Sequence, residues 1–167
     1  MPKIHLLLRG PAAAPYPNGG DEAYWMGQVA GALASHLGQE GIPLEWGPPQ
    51  EEDALCLTLS SQAAPPELEG QKKGPVLVVR PGDALGWKAA AALAQQLRQV
   101  YPQPELVTLE EGPVPELEGV PGAGAALRLL YRDNPQDEAW LARNTGAAGK
   151  ALAQGIIQAV KGNLYHA

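Results

Sequence analysis

The sequence predicts an α/β domain, three layers deep (α/β/α), with a mainly parallel central sheet. Three observations carry this reading. Four short apolar runs, at 4–8, 54–59, 76–79 and 126–131, have the length and the turn-rich bounding of buried strands. Between or after them lie stretches with apolar residues at helical spacing. Strands that alternate with helices favour parallel pairing, with both sheet faces covered. The 167 residues suit one domain with a substantial core, 1–167, and no linker is long enough to divide them.

In chain order, Ile4 to Leu8 make the first strand, which stops at Arg9-Gly10-Pro11. Pro11, Pro15, Pro17 and Asn18-Gly19-Gly20 then enforce a loop. Gly20 or Asp21 starts a helix to about 37, with Met26, Val29, Ala30, Leu33 and Leu37 on one stripe and Gly38 and Gly41 as its stop. A short strand at 42–46 is broken by Pro48-Pro49. Ala54-Leu55-Cys56-Leu57-Thr58-Leu59 is the third strand and ends at Ser60-Ser61-Gln62. Val76-Leu77-Val78-Val79 is wholly apolar, as expected of a strand covered on both faces. Asp83 caps a helix over 84–100, and 106–109 forms an edge strand. Segment 110–124, with three prolines, is the least structured part. In the last strand, Leu129 is expected in the core. Asn134 then N-caps a helix, Pro135 takes its first position, and Asp137 and Glu138 sit where the helix dipole favours negative charge. Trp140, Leu141, Ala148, Leu152, Ile156, Ile157 and Val160 continue an apolar stripe, broken near Asn144-Thr145-Gly146. No internal repeat is visible.

Composition narrows the function classes. The formal charge of −6 argues against sequence-independent nucleic-acid binding, which needs clustered Lys and Arg. No apolar run approaches the roughly 20 residues that span a bilayer. The opening Met1-Pro2-Lys3-Ile4-His5-Leu6-Leu7-Leu8 is too short for a signal peptide, so the chain reads as soluble. The single cysteine, Cys56, reads as a buried strand thiol rather than a nucleophile. Glu105, Glu110, Glu111, Glu116 and Glu118 read as a solvated acidic loop.

Two stretches near the end carry a family resemblance. Asn134-Pro135-Gln136-Asp137-Glu138, followed by Ala139-Trp140-Leu141-Ala142, and later Lys150-Ala151-Leu152-Ala153-Gln154-Gly155-Ile156, resemble the end of the zinc-dependent N-acetylmuramoyl-L-alanine amidases. In that family a late strand leads into an "SNPEDE" turn and a helix of the form "LAEAIAEGI". The resemblance implies a zinc held by a His after the first strand, a Glu opening the first long helix and a His within "SIHAN" after a middle strand. A second Glu, in the late strand, is the general base. Such a site needs three protein ligands and one open position for the activated water.

Carried over by position, the resemblance brings little of that chemistry. Arg9-Gly10-Pro11 has no His where "GHGG" falls. Glu22 opens the first helix and matches the ligand Glu. Thr58-Leu59-Ser60-Ser61-Gln62 stands for "SIHAN", with Ser60 in place of the His, and Arg128 stands where the base is expected. Glu22, Ser60 and Arg128 therefore read as a vestigial site, with no catalytic residue and no metal ligand set. A hydroxyl is a poor zinc ligand and a guanidinium none at all. His5, His36 and His166 have no ligand partner at H-x-x-x-H or H-x-x-E-H spacing and read as unrelated surface or packed residues. Arg128 in an apolar strand either snorkels to solvent or pairs with Glu22 or another carboxylate, or it binds an anion in a repurposed cleft.

The first functional reading is therefore a catalytically inactive amidase-like module. It would act as a binding or structural protein in a cell-wall or phage-related setting, with a protein partner or a peptidoglycan fragment as ligand and no cofactor. A homo-oligomer is compatible with it. The alternatives are an active zinc amidase with a displaced metal site and a structural protein of an assembly such as a virion.

Overall fold

A computed structural model describes residues 2–165 of the chain, so His166 lies outside the described residues. Six strands form one sheet in the order β2-β1-β3-β6-β4-β5. They are β1 (Lys3–Leu8), β2 (Leu44–Trp46), β3 (Ala54–Gln62), β4 (Val76–Val79), β5 (Thr108–Glu111) and β6 (Ala123–Tyr131). All neighbours pair in parallel except β4 with β6. The sheet is flanked by α1 (Glu22–Gln39), α2 (Ala84–Arg98) and α3 (Pro135–Tyr165).

Side-chain alternation sorts the strands onto two faces. Leu55, Leu57, Leu59, Leu77, Val79, Leu127 and Leu129 join Met26, Leu33, Leu93, Leu97, Leu152 and Ile156 of the three helices in the larger core. Leu7, Cys56, Val78 and Ala126 face the other way and pack under Val114, Leu117 and Val120. The antiparallel β4 explains why α1 and α2 share a core. A right-handed crossover that reverses both strand direction and sideways direction returns its helix to the same face. The expected core positions hold, with Leu129 fully buried and Ile156 only 2 % exposed. Ile156→Val should cost about 0.5–1.5 kcal/mol in equilibrium unfolding, and an unchanged midpoint would show that α3 is not part of the cooperative core.

Several boundaries differ from the sequence reading; β2 starts at Leu44, β3 runs on to Gln62 and α2 ends at Arg98, and two further shifts have a local reason. The fifth strand starts at Thr108 because Pro104-Glu105-Leu106 forms a one-turn 3-10 helix. The sixth begins at Ala123, since Ala123 to Ala126 pair with β3 despite their small side chains. Segment 110–124 is more ordered than its prolines suggest. Arg80 donates to the carbonyls of Leu117 (3.3 Å), Val120 (3.0 Å) and Gly122 (2.8 Å), which pins the segment over the second face. A short recurrence is also present. Pro-Glu-Leu-Glu-Gly occurs at 66–70 and 115–119, and each copy is a one-turn 3-10 helix followed by a glycine at φ 76°. It repeats a turn, not a domain, because only Gly adopts that φ without strain.

The break in α3 is where expected. Asn144 leaves helical geometry at φ −136°, ψ 25°, and its side chain donates to the Trp140 carbonyl at 2.8 Å. No helix among the described residues is long and apolar enough to cross a membrane.

Candidate functional site

Glu22 is the first side chain of α1, after Asp21, whose carboxylate accepts from the Tyr24 N–H as N-cap. A carboxylate in that position is favoured by the helix dipole and is normally solvated. Here it is 2 % exposed. Its first oxygen accepts from the Tyr16 hydroxyl at 2.9 Å and the Ser61 hydroxyl at 2.5 Å, and its second from the Ser61 N–H at 2.8 Å. Ser61 Oγ in turn accepts from Arg132 at 3.1 Å. Arg132, Ser61, Glu22 and Tyr16 thus form one continuous hydrogen-bonded relay. Burial, the dominant effect, pushes the Tyr16 phenol above its ordinary range, so the hydroxyl stays protonated and remains a donor.

Gly10 completes the enclosure. A Cβ built there would lie 1.7 Å from a Glu22 carboxylate oxygen. The backbone after β1, where the resemblance would place a His, is pressed against the carboxylate itself.

The other two sequence candidates go elsewhere. Ser60 stands opposite Arg128 in the β3–β6 register, and both alternate onto the face of Cys56 and Ala126. The residue that meets Glu22 is Ser61, one position later. A register irregularity lies between Ser60 and Gln62, where Leu129 and Leu130 of β6 stand opposite Ser61 alone. Arg128 forms the pairing option of its two readings, but with Glu116 and not Glu22. The contacts are bidentate, Nε to carboxylate at 2.8 Å and NH2 at 3.1 Å. Glu116 thus leaves the acidic loop's solvated role. Burial raises its carboxyl pKa, but hydrogen bonds from Arg128 and the backbone, with the guanidinium charge, hold it below the ordinary value.

This pair sets a pH expectation. A carboxyl whose folded pKa is depressed contributes stability above its unfolded value and loses it as pH falls through the folded one. Glu116→Gln should cost about 1–3 kcal/mol near neutral pH, because it removes a charge-assisted pair and leaves a partly buried guanidinium. That difference should be flat above about pH 5 and shrink below about pH 4. A difference independent of pH would show that the pair is not ionised.

The turn shared with the resemblance has a structural explanation. Asn134 Oδ1 accepts from the N–H groups of Gln136 (2.9 Å) and Asp137 (3.1 Å). Asp133 accepts from Ala64 (3.0 Å) and Gly70 (2.8 Å), and Glu138 from the Asn18 backbone (2.7 Å) and side chain (2.9 Å). Fully buried Asp137 accepts from Gly74 (3.0 Å), Tyr131 (2.9 Å) and the Tyr101 hydroxyl. Asp133 and Asp137 hold the connector between β3 and β4, Asp137 also holds Tyr101 beyond α2, and Glu138 holds the loop before α1. Sequence spacing alone gave no sign of this, because every partner outside the turn is remote in the chain or on another element.

Among the described residues, no three His, Cys, Asp or Glu side chains converge in a way that could hold a metal ion. His36 lies in the last turn of α1, and His5 in β1 faces Glu45 of β2.

No protein-family model matches the chain, and no curated protein matches it in sequence. Solved structures do. N-acetylmuramoyl-L-alanine amidase AmiC2 of Nostoc punctiforme superposes with a TM-score of 0.75 at 13 % identity, over 95 % of this chain and 97 % of that one. The catalytic domain of CwlV, an N-acetylmuramoyl-L-alanine amidase from Bacillus (Paenibacillus) polymyxa var. colistinus, gives 0.76 at 13 %, covering 96 % and 99 %. The CwlD amidase from Clostridioides difficile, solved in complex with the GerS lipoprotein, gives 0.74 at 9 %, covering 95 % and 98 %. The chain therefore has the fold of N-acetylmuramoyl-L-alanine amidase catalytic domains.

Proposed function

We propose that this chain is a catalytically inactive amidase-fold module that works by binding a protein partner or a peptidoglycan fragment. The observation that carries the reading is the occupied carboxylate of Glu22, which spends both oxygens on Tyr16 and Ser61 inside the chain. A catalytic zinc needs three protein ligands and an exchangeable water. Here the one matching ligand is engaged, Gly10 abuts it, and the Arg132 guanidinium lies one hydroxyl away, where a divalent cation would be repelled. Scaffold and chemistry depend on different residues, so the fold can persist when the site does not. A protein partner is supported by the precedent of CwlD, solved with GerS.

The test is incubation of the purified chain with a muramoyl-peptide substrate, with and without added zinc, alongside sedimentation with peptidoglycan sacculi. No peptide release is expected under either condition. Ser60→His should not create activity, because that side chain faces away from Glu22. Chelator-sensitive release of peptide by the unmodified chain would hand the case to an active zinc amidase.

A further inference from the structure

Toward the amino ends of β1 and β3, away from Glu22, the sheet carries a second arrangement. The register of β1 and β2 places His5 beside Glu45. His5 is 7 % exposed and lines an open cavity of about 260 Å³ with Glu45, Trp46, Pro48, Glu51 and Asp53. Its Nδ1 lies 3.0 Å from the Gly47 carbonyl oxygen, which can only accept. Nδ1 therefore carries the hydrogen, and in the neutral ring Nε2 presents a lone pair. In that tautomer the lone pair faces a Glu45 carboxylate oxygen at 3.5 Å, a separation that a cation bridging the two could fill as well as a proton on Nε2.

We propose that His5 Nε2 and Glu45 Oε2 are the protein ligands of a weak site for a first-row divalent transition-metal cation of the zinc class, with water in its remaining positions. An imidazole whose other nitrogen donates to a backbone carbonyl is oriented as metal-bound histidines are. Two ligands about 2.1 Å from a tetrahedral ion stand about 3.4 Å apart, close to the separation seen here. The nitrogen ligand selects against magnesium and calcium, which prefer oxygen alone. Glu51 and Asp53 on the rim add negative charge, and Lys3, the opposing cation, lies 4.0 Å from Glu51. This site is separate from the Glu22 relay, and its metal would be bound, not catalytic.

The experiment is titration of the intact chain with zinc chloride by calorimetry, and with cobalt chloride by NMR to place the ion. Paramagnetic effects should centre on His5, magnesium chloride should produce none, and Glu45→Gln should weaken zinc binding at least about tenfold. His5→Asn, whose amide can keep the bond to Gly47, should abolish it. Glu45 is exposed, so its variant tests the site without threatening the fold. Effects centred on His36 or elsewhere, or affinity unchanged in Glu45→Gln, would overturn the assignment. Cobalt centred on Glu22 would overturn both this site and the inactive reading, whereas no binding anywhere would remove this site alone.

Discussion

Asp137→Ala should cost about 3–6 kcal/mol, enough to unfold much of the population of a domain whose total stability lies at about 5–15 kcal/mol. The side chain is fully buried and collects three donors from three segments. These are Gly74 ahead of β4, Tyr131 at the end of β6 and Tyr101 beyond α2. Alanine leaves all three without acceptors, and the Gly74 and Tyr101 donors are buried with the side chain they lose. A buried unpaired donor costs about 1–3 kcal/mol, and the three share one cavity, so their costs do not add in full. Burial first, and then the bond to Asp137, raise the Tyr101 phenol above its ordinary range, so it cannot relieve the loss by ionising. Asp137→Asn should fall between, since its oxygen can serve some donors while its NH2 confronts another. A loss under about 1 kcal/mol by urea unfolding would show that water replaces the carboxylate.

Most of the fold was legible because its signals are local. Apolar runs marked β1, β3, β4 and β6, helical stripes marked α1 and α2, and Asn134-Pro135 marked the start of α3. Glu22 was legible too, as an acid at a helix start. Its meaning was not. Whether such a carboxylate holds a metal or a ring of hydrogen bonds depends on Ser61 and Arg132, brought to it by β3 and by the turn after β6. One residue of strand phase separates Ser60 from Ser61, and spacing cannot resolve it where a register shifts. Arg128 likewise signalled a partner without naming it, since Glu116 lies in a proline-rich segment that reads as solvated. His5 seemed isolated because its neighbour Glu45 is supplied by strand pairing, not by sequence proximity.

Glu22→Ala should destabilise the chain by about 3–5 kcal/mol, and the sign of that change separates the two readings of the site. An acid kept for a metal is held in place against folding. When the metal is absent, its removal is commonly neutral or stabilising, the usual trade between function and stability. An acid kept for structure behaves in the opposite way. Here alanine would strand the Ser61 N–H, the Ser61 hydroxyl and the Tyr16 hydroxyl, all in residues no more than 6 % exposed. It would also leave the Arg132 guanidinium beside a hydroxyl that has lost its own acceptor. Tyr16 anchors the loop before α1, since its N–H donates to Gly20 at 3.0 Å and its carbonyl accepts from Gly19 at 3.0 Å. The damage should therefore spread to residues 10–20, visible as faster amide exchange there than in β3 or α3. Glu22→Gln keeps the shape and one accepting oxygen, so it should lose less. Equilibrium unfolding of both variants in metal-free buffer is the measurement. Equal or greater stability for Glu22→Ala would mean that the carboxylate is retained at a cost, and would return the site to the metal-binding reading.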